Sequence, residues 1–298
     1  MQLWKVRCFG REIGCESQHS FCGGLRGISD CLSGLSIYGF VAPSDGIAKA
    51  KDLALRALEL EPGLAEAHTS VAWVKTWYDF DFVVAEREFE RSIELNSRHP
   101  MAHGWFGYFL GLMGRYEEAY TECQRALRLD PLSTVMQFYL GQIYWMAHRY
   151  DQLIERSHKT LKFDDRFIWT QGMLAWGYLG KSMHQEAIAC LREGIRASPS
   201  STLYLAALAE AHAAAGEELE ARRTLEQLNG ISKQRYVTPY MFARVYTALS
   251  ETNEALKWLE AAYQERASFL AFLKVDPHFE SLRSEPQFQK LMQRMNFP

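Results

Sequence analysis

The stretch FLKVDPHFESLRSEPQF, residues 272–288, gathers the side chains that acid–base chemistry uses. Lys274, Asp276, His278, Glu280 and Arg283 fall within ten residues. An imidazole beside carboxylates can pass protons, and a Lys or Arg can hold an anion. The stretch also says nearly the same thing twice, as Pro277-His278-Phe279 and then as Pro286-Gln287-Phe288. Chemistry gives no reason for that repetition, so the reading turns on the elements that would position these residues.

Other candidates are weaker. His99-Pro100-Met101-Ala102-His103 sets two histidines four apart, the zinc-protease spacing, but Pro stands where that motif needs Glu. A helix-capping region with one solvent-exposed His fits better. Asp79, Asp81 and Glu86 could pair as carboxylates, yet Asp81 is placed to cap a helix starting near Phe82. Glu88, Arg91 and Glu94 read as a solvated helix face. CGGLRG at 22–27 is Gly-rich but follows no strand, which argues against a phosphate loop. The six cysteines include no CxxC pair, so reduced thiols are expected and no zinc site. Cys123 falls in a packed column and should be inert.

The chain has 298 residues, net charge −3 and 48% hydrophobic residues. That charge supplies no basic footprint for nucleic acid or an anionic membrane. No apolar run approaches the roughly 20 residues of a membrane-spanning helix. The opening MQLWKVRCFGREIGCE puts charges where a secretory signal needs its apolar segment. These features predict a cytoplasmic protein.

The dominant signal is a period of 34 residues. Stepping from Ala119 gives Ala85, Ala119, Leu153, Ala187, Ala221 and Ala255. Twelve positions earlier stand Trp73, Gly107, Gly141, Ala175, Ala209 and Ala243. Small residues in both columns let two helices approach closely, and the Tyr and Leu columns three and four positions on fill the space beside them. Asp130-Pro131, Pro199, Gly114-Arg115 and Gly180-Lys181 break the chain between helices. An earlier unit carries Ala50, Ala57 and Pro62, with its first helix near 21–37. The expectation is an all-α array of about seven helix-turn-helix pairs over residues 21–266, an irregular N-terminus over 1–20 and a helical cap over 267–298. Leu153 in a small column puts the tightness of the fourth pair in doubt.

On these residues, Gly107…Leu110…Tyr116…Ala119…Ala126…Pro131 above all, the chain resembles the tetratricopeptide repeat (TPR) family. The segments YVTPYMFARVYTAL and EALKWLEAAYQERASFLAFLKVDPHFESLRSEPQF are similar to C-terminal TPR regions of bacterial, especially acidobacterial, signalling proteins. In those, the repeats follow a serine/threonine kinase, winged-helix or cyclase domain. The resemblance implies a right-handed superhelix and a non-catalytic scaffold for a protein or peptide partner, with no cofactor, metal, nucleic acid or membrane. Its alternative is a regulatory module detached from a kinase or cyclase and acting on it in trans; a structural array that dimerises through its ends is the third reading. The resemblance also implies a concave groove lined by first helices, here Trp77, Tyr108, Gln142, Trp145, Trp176, Glu210 and Arg244. Aromatic residues there would act as binding hot spots. The clamp of Lys, Arg and Asn that holds peptide carboxylates in some such grooves is missing. Within this scheme residues 272–288 form a two-helix lid. Pro277 and Pro286 start its helices, Phe279, Leu282, Phe288 and Leu291 face the array, and His278, Glu280, Arg283 and Glu285 face water.

The register is checkable. Ala119→Leu should overpack the third pair and cost on the order of 1–3 kcal/mol in urea unfolding; a neutral result would count against it.

Overall fold

The computed structural model describes residues 18–163 and 169–298. The irregular stretch expected at 1–20 lies outside them, apart from Gln18–Ser20, which open a helix. Seven antiparallel helix pairs follow one another: α1 (Gln18–Ile37) with α2 (Ile47–Leu60), α3 (Ala65–Val74) with α4 (Phe82–Leu95), and α5 (Pro100–Leu112) with α6 (Tyr116–Leu129). Next come α7 (Thr134–Met146) with α8 (Tyr150–Phe163), α9 (Trp169–Gly180) with α10 (His184–Ala197), α11 (Thr202–Ala214) with α12 (Glu218–Ser232), and α13 (Pro239–Ala248) with α14 (Thr252–Gln264). They stack as a right-handed TPR-type solenoid. A tail follows, made of 3₁₀ turns at Ser268–Phe272 and Pro277–Leu282 and of α15 (Pro286–Met295). No strand occurs among the described residues.

The 34-residue period is written into the backbone. Phe80, Gly114, His148, Ser182, Gly216 and Ser250 stand 34 apart, and each has φ between 54° and 80°. The left-handed residue reverses the chain between the two helices of a pair. In the fifth pair it is Ser182; Gly180, expected to make the turn, still belongs to α9. α3 runs on through a π-helical turn, Lys75–Asp79, before Phe80. Asp81 caps α4 by accepting from Val84 N–H at 3.3 Å, as expected. Ser133 and Ser201 cap α7 and α11 in the same way.

The small columns sit where helices touch. A Cβ added at Gly107 would lie 2.8 Å from Cys123 Sγ and 2.9 Å from the Ala119 carbonyl. At Gly141, opposite Leu153, the nearest atoms would be 3.4–3.5 Å away, so the fourth pair is indeed looser. Cys123 is buried, and burial pushes its thiol well above the usual range. Cys22, Cys123 and Cys190 are free, but Cys31 is disulfide-bonded, which corrects the expectation of reduced thiols throughout.

His99 is the N-cap residue of α5, so the capping region is where it was expected, but neither His99 nor His103 is exposed. His103 is buried: its Nδ1 donates to Glu122 Oε2 at 2.6 Å and its Nε2 to the Ser97 carbonyl at 3.0 Å. His68 repeats the device one unit earlier, with Glu88 Oε2 at 2.6 Å and the Pro62 carbonyl at 3.0 Å. Both rings touch two acceptors, so both favour the doubly protonated form. For His103 the Glu122 hydrogen bond outweighs burial and raises the pKa; for His68 burial lowers it, but Glu88 and the carbonyl more than compensate. Glu88 is therefore a staple between helices, not part of a free solvated face.

Gly114 (φ +80°) gives the sharpest backbone test. Gly114→Ala should lose roughly 1–2 kcal/mol, the cost of a left-handed Cβ. Ser182→Gly should stabilise by up to about 1 kcal/mol. Chemical unfolding of both variants reads the two signs.

Candidate functional site

The odd-numbered helices line the inside of the superhelix. Their inner side chains belong to the column Trp77, Tyr108, Gln142, Trp145, Trp176, Glu210 and Arg244. The open groove expected at these residues is not there. All but Trp176, which is half-buried, are buried, because the tail runs along this face. Phe272 lies with its ring centre 5.5 Å from Trp77 and 6.0 Å from Tyr108 and Trp145, edge-on to each. Gln142 and Phe269 face a small apolar cavity of about 40 Å³ between Tyr38 and Tyr204. Trp145 and Trp176 stack on each other at 4.9 Å, and His278 packs beside both.

The tail is therefore both cap and filling. It covers the last pair through Tyr240, which stacks on Phe269 and meets Phe279 edge-on. It then returns to the second pair: Phe297 stacks on Phe82 at 4.7 Å, and Arg266 donates to the Tyr78 carbonyl at 3.2 Å. Phe269, Leu270, Phe272, Leu273, Val275, Phe279 and Leu282 are buried. At about 1.5–3 kcal/mol for each large apolar side chain, their burial contributes roughly 10 kcal/mol or more. Ordering the segment costs conformational entropy of similar size, so the net gain is far smaller.

The acid–base residues of the opening stretch come together at the tail's centre. Asp276 Oδ1 accepts from the His278 backbone N–H (2.9 Å) and from His278 Nδ1 (2.6 Å), while Oδ2 accepts from the Tyr240 hydroxyl (2.6 Å). Arg244 Nη2 donates to Glu210 Oε2 at 2.6 Å, across one repeat. His278 Nε2 lies 3.2 Å from Glu210 Oε2 and 2.9 Å from Arg244 Nη2. Protonated, it donates to Glu210; neutral, it accepts from Arg244. His278 does not face water, which corrects that expectation; Glu280 and Arg283 do.

The electrostatics follow from this pairing. Burial would lower the His278 pKa, as would Arg244, yet Asp276 and Glu210 hold it above its usual value. Burial would raise Glu210, but Arg244 and then His278 keep its carboxyl below the usual range. Asp276 is likewise held down against its burial, chiefly by His278. Two anions and two cations balance. Both oxygens of Asp276 and both nitrogens of His278 are engaged within the protein. The network fixes the Asp-Pro-His turn.

Beside the turn a recess of about 290 Å³ stays open. Trp145, Trp176 and Leu179 form one wall, Pro277, His278 and Glu280 of the tail the other, with Glu210 also lining it and Tyr150 at its side. Glu210 Oε1 has no hydrogen-bond partner. The sequence did not mark Tyr150 as a site residue and set Glu280 on the water-facing side of a lid; the recess exists only because the tail folds inward.

Among known proteins, residues 102–131 match the tetratricopeptide repeat family profile. A TPR protein of Parabacteroides merdae superposes with TM-score 0.58 at 12% identity, over 94% of this chain and 99% of that one. A thermophilic TPR protein of Thermus thermophilus gives 0.55 at 18% identity, over 64% and 98%. The human IFIT1 dimer with m7Gppp-AAAA gives 0.62 at 14% identity, over 94% and 64%. In sequence the chain is 22% identical over 149 residues to the tetratricopeptide repeat-containing protein trd-1 of Caenorhabditis elegans; that match spans 50% of this chain and 18% of the relative. The chain has a TPR-type helical-repeat fold.

The latch has a definite pH signature. Because the folded pKa of His278 is raised, its contribution is complete below about pH 6.5, the unfolded value, and is lost as pH rises through the folded value. Asp276 is depressed, so its contribution is complete above about pH 4 and lost as pH falls through the folded value. Urea unfolding should show the stability gap between wild type and His278→Asn narrowing as pH rises above about 6.5. A constant gap would mean that His278 is neutral in the fold.

Proposed function

We propose that this chain is a non-catalytic protein-interaction scaffold whose partner inserts a side chain into the recess beside the Asp276-Pro277-His278 turn. The observation that carries the reading is the state of the inner face. Its aromatic column is covered by the tail except here, where half-buried Trp176 faces the recess and buried Trp145 and Glu210 lie behind it. A recess of this size suits one large side chain rather than an extended peptide. The repeat fold supports a protein partner. The resemblance of the later repeats and tail to regions that follow effector domains supports a regulatory setting in bacterial signalling. A phosphate backbone is a poor fit, since Arg244, the cation of the inner column, is already paired with Glu210.

Site-directed photo-cross-linking tests the reading. A photoreactive side chain at Glu280, at the recess mouth, should capture a discrete partner. The same probe at Leu219, exposed on the outer helix α12, should not. Capture at Leu219 alone would move the binding surface to the outer face.

A further inference from the structure

We infer that the recess selects a cationic side chain, an arginine or lysine of the partner. This rests on the reading of the recess as a partner site and adds what it recognises. Three features of the recess agree. Glu210 is buried and ionised, and its Oε1 has no hydrogen-bond donor within the protein. A buried acceptor left unpaired is costly, and a donor from a ligand removes that cost. The indoles of Trp145 and Trp176 supply electron-rich faces that attract cations. Trp176, the half-buried one, already does so inside the fold: the Arg244 guanidinium carbon lies 5.4 Å from its ring centre.

The charge balance points the same way. Arg244 is paired with Glu210, and His278 with Asp276. Glu280, at the mouth, is more than half exposed, and its contact is an exposed His148 at 3.5 Å. Lys181, beside Gly180 of the recess wall, is paired with Asp151. The uncompensated charge at the opening is therefore negative. An acidic side chain would meet Glu280 and Glu210. An aliphatic one would leave Glu210 Oε1 without a donor. A guanidinium or ammonium meets the exposed Glu280 carboxylate and the half-buried Trp176 indole, is drawn toward Glu210 behind them, and lays its alkyl stem against Leu179 and Pro277.

The test uses the full chain and a set of capped tripeptides, acetyl-Gly-X-Gly-amide, with X as arginine, lysine, citrulline, leucine, phenylalanine or glutamate. Binding is read from the indole N–H resonances of Trp145 and Trp176 and from tryptophan fluorescence. Arginine or lysine should bind about tenfold or more tightly than citrulline, the neutral isostere of arginine. Glu280→Gln should weaken the cationic peptides severalfold while leaving the helical circular dichroism unchanged. Citrulline, leucine, phenylalanine or glutamate binding as well as arginine would overturn the cation assignment and leave the recess as a partner site. An arginine preference undiminished in Glu280→Gln would also overturn it. If no peptide of the set binds, the recess takes no partner side chain, and both readings fall.

Discussion

Phe272, held among the rings of Trp77, Tyr108 and Trp145, is the contact on which the arrangement of the inner face depends. Each of those rings comes from a different helix pair, so one side chain ties three repeats at once. A superhelix by itself leaves its inner aromatic surface exposed to water. Here the chain supplies its own filling, and everything further along the tail is placed by that choice. Asp276 and His278 reach Tyr240, Glu210 and Arg244 because Phe272 fixes where the tail enters. The recess is what remains once the tail has taken its path.

Much of this was legible in the residues, but unevenly. The small columns named the pairs and their register. The left-handed residues at 34-residue intervals are the same period expressed as torsion angles. The looseness of the fourth pair followed from Leu153 in a column of alanines. Spacing also grouped Trp77, Tyr108, Gln142, Trp145, Trp176, Glu210 and Arg244, since side-chain direction on a helix depends only on local spacing. What covers them was not legible. Whether Phe272 covers Trp77 is decided by contacts spanning most of the chain, and no local periodicity encodes them. The tail read as amphipathic short helices on a lid, and it is amphipathic; the face it covers is simply larger than the end of the array. His68 and His103 show a different shortfall. They stand 35 residues apart and their partners Glu88 and Glu122 stand 34 apart, so the signal was present in the spacing. It was missed because each His was judged by its neighbours in sequence rather than by its counterpart one repeat away.

The buried charges show why a cluster of acid–base residues need not be a reactive one. Reactivity needs an unsatisfied group within reach of a substrate. Tyr240, Asp276, His278, Glu210 and Arg244 satisfy one another almost completely, and the imidazole can exchange one partner for another without losing its place. What the set contributes is position: it holds a Pro-containing turn against two indoles, with Glu210 Oε1 and Arg244 Nε left over.

The stacking of Phe297 on Phe82 and the bond from Arg266 to Tyr78 have a consequence for how the protein comes apart. A linear repeat array behaves as a one-dimensional chain of units, in which the terminal repeats fray first and melting spreads inward. Here the last segment is spliced to the second pair, so the C-terminal repeats have no free end from which to unzip. Six of the seven pairs lie inside that closed circuit, and the first joins it through Tyr38, which stacks on Trp169 of the fifth pair at 4.5 Å. Opening any unit within the circuit strains the others, and the array gains the all-or-none character of a globular domain. The same splice joins residues 188 apart in the chain, so it can form only after the intervening repeats are in place. Closure is then a late step in folding, and the recess beside the tail comes into being with it.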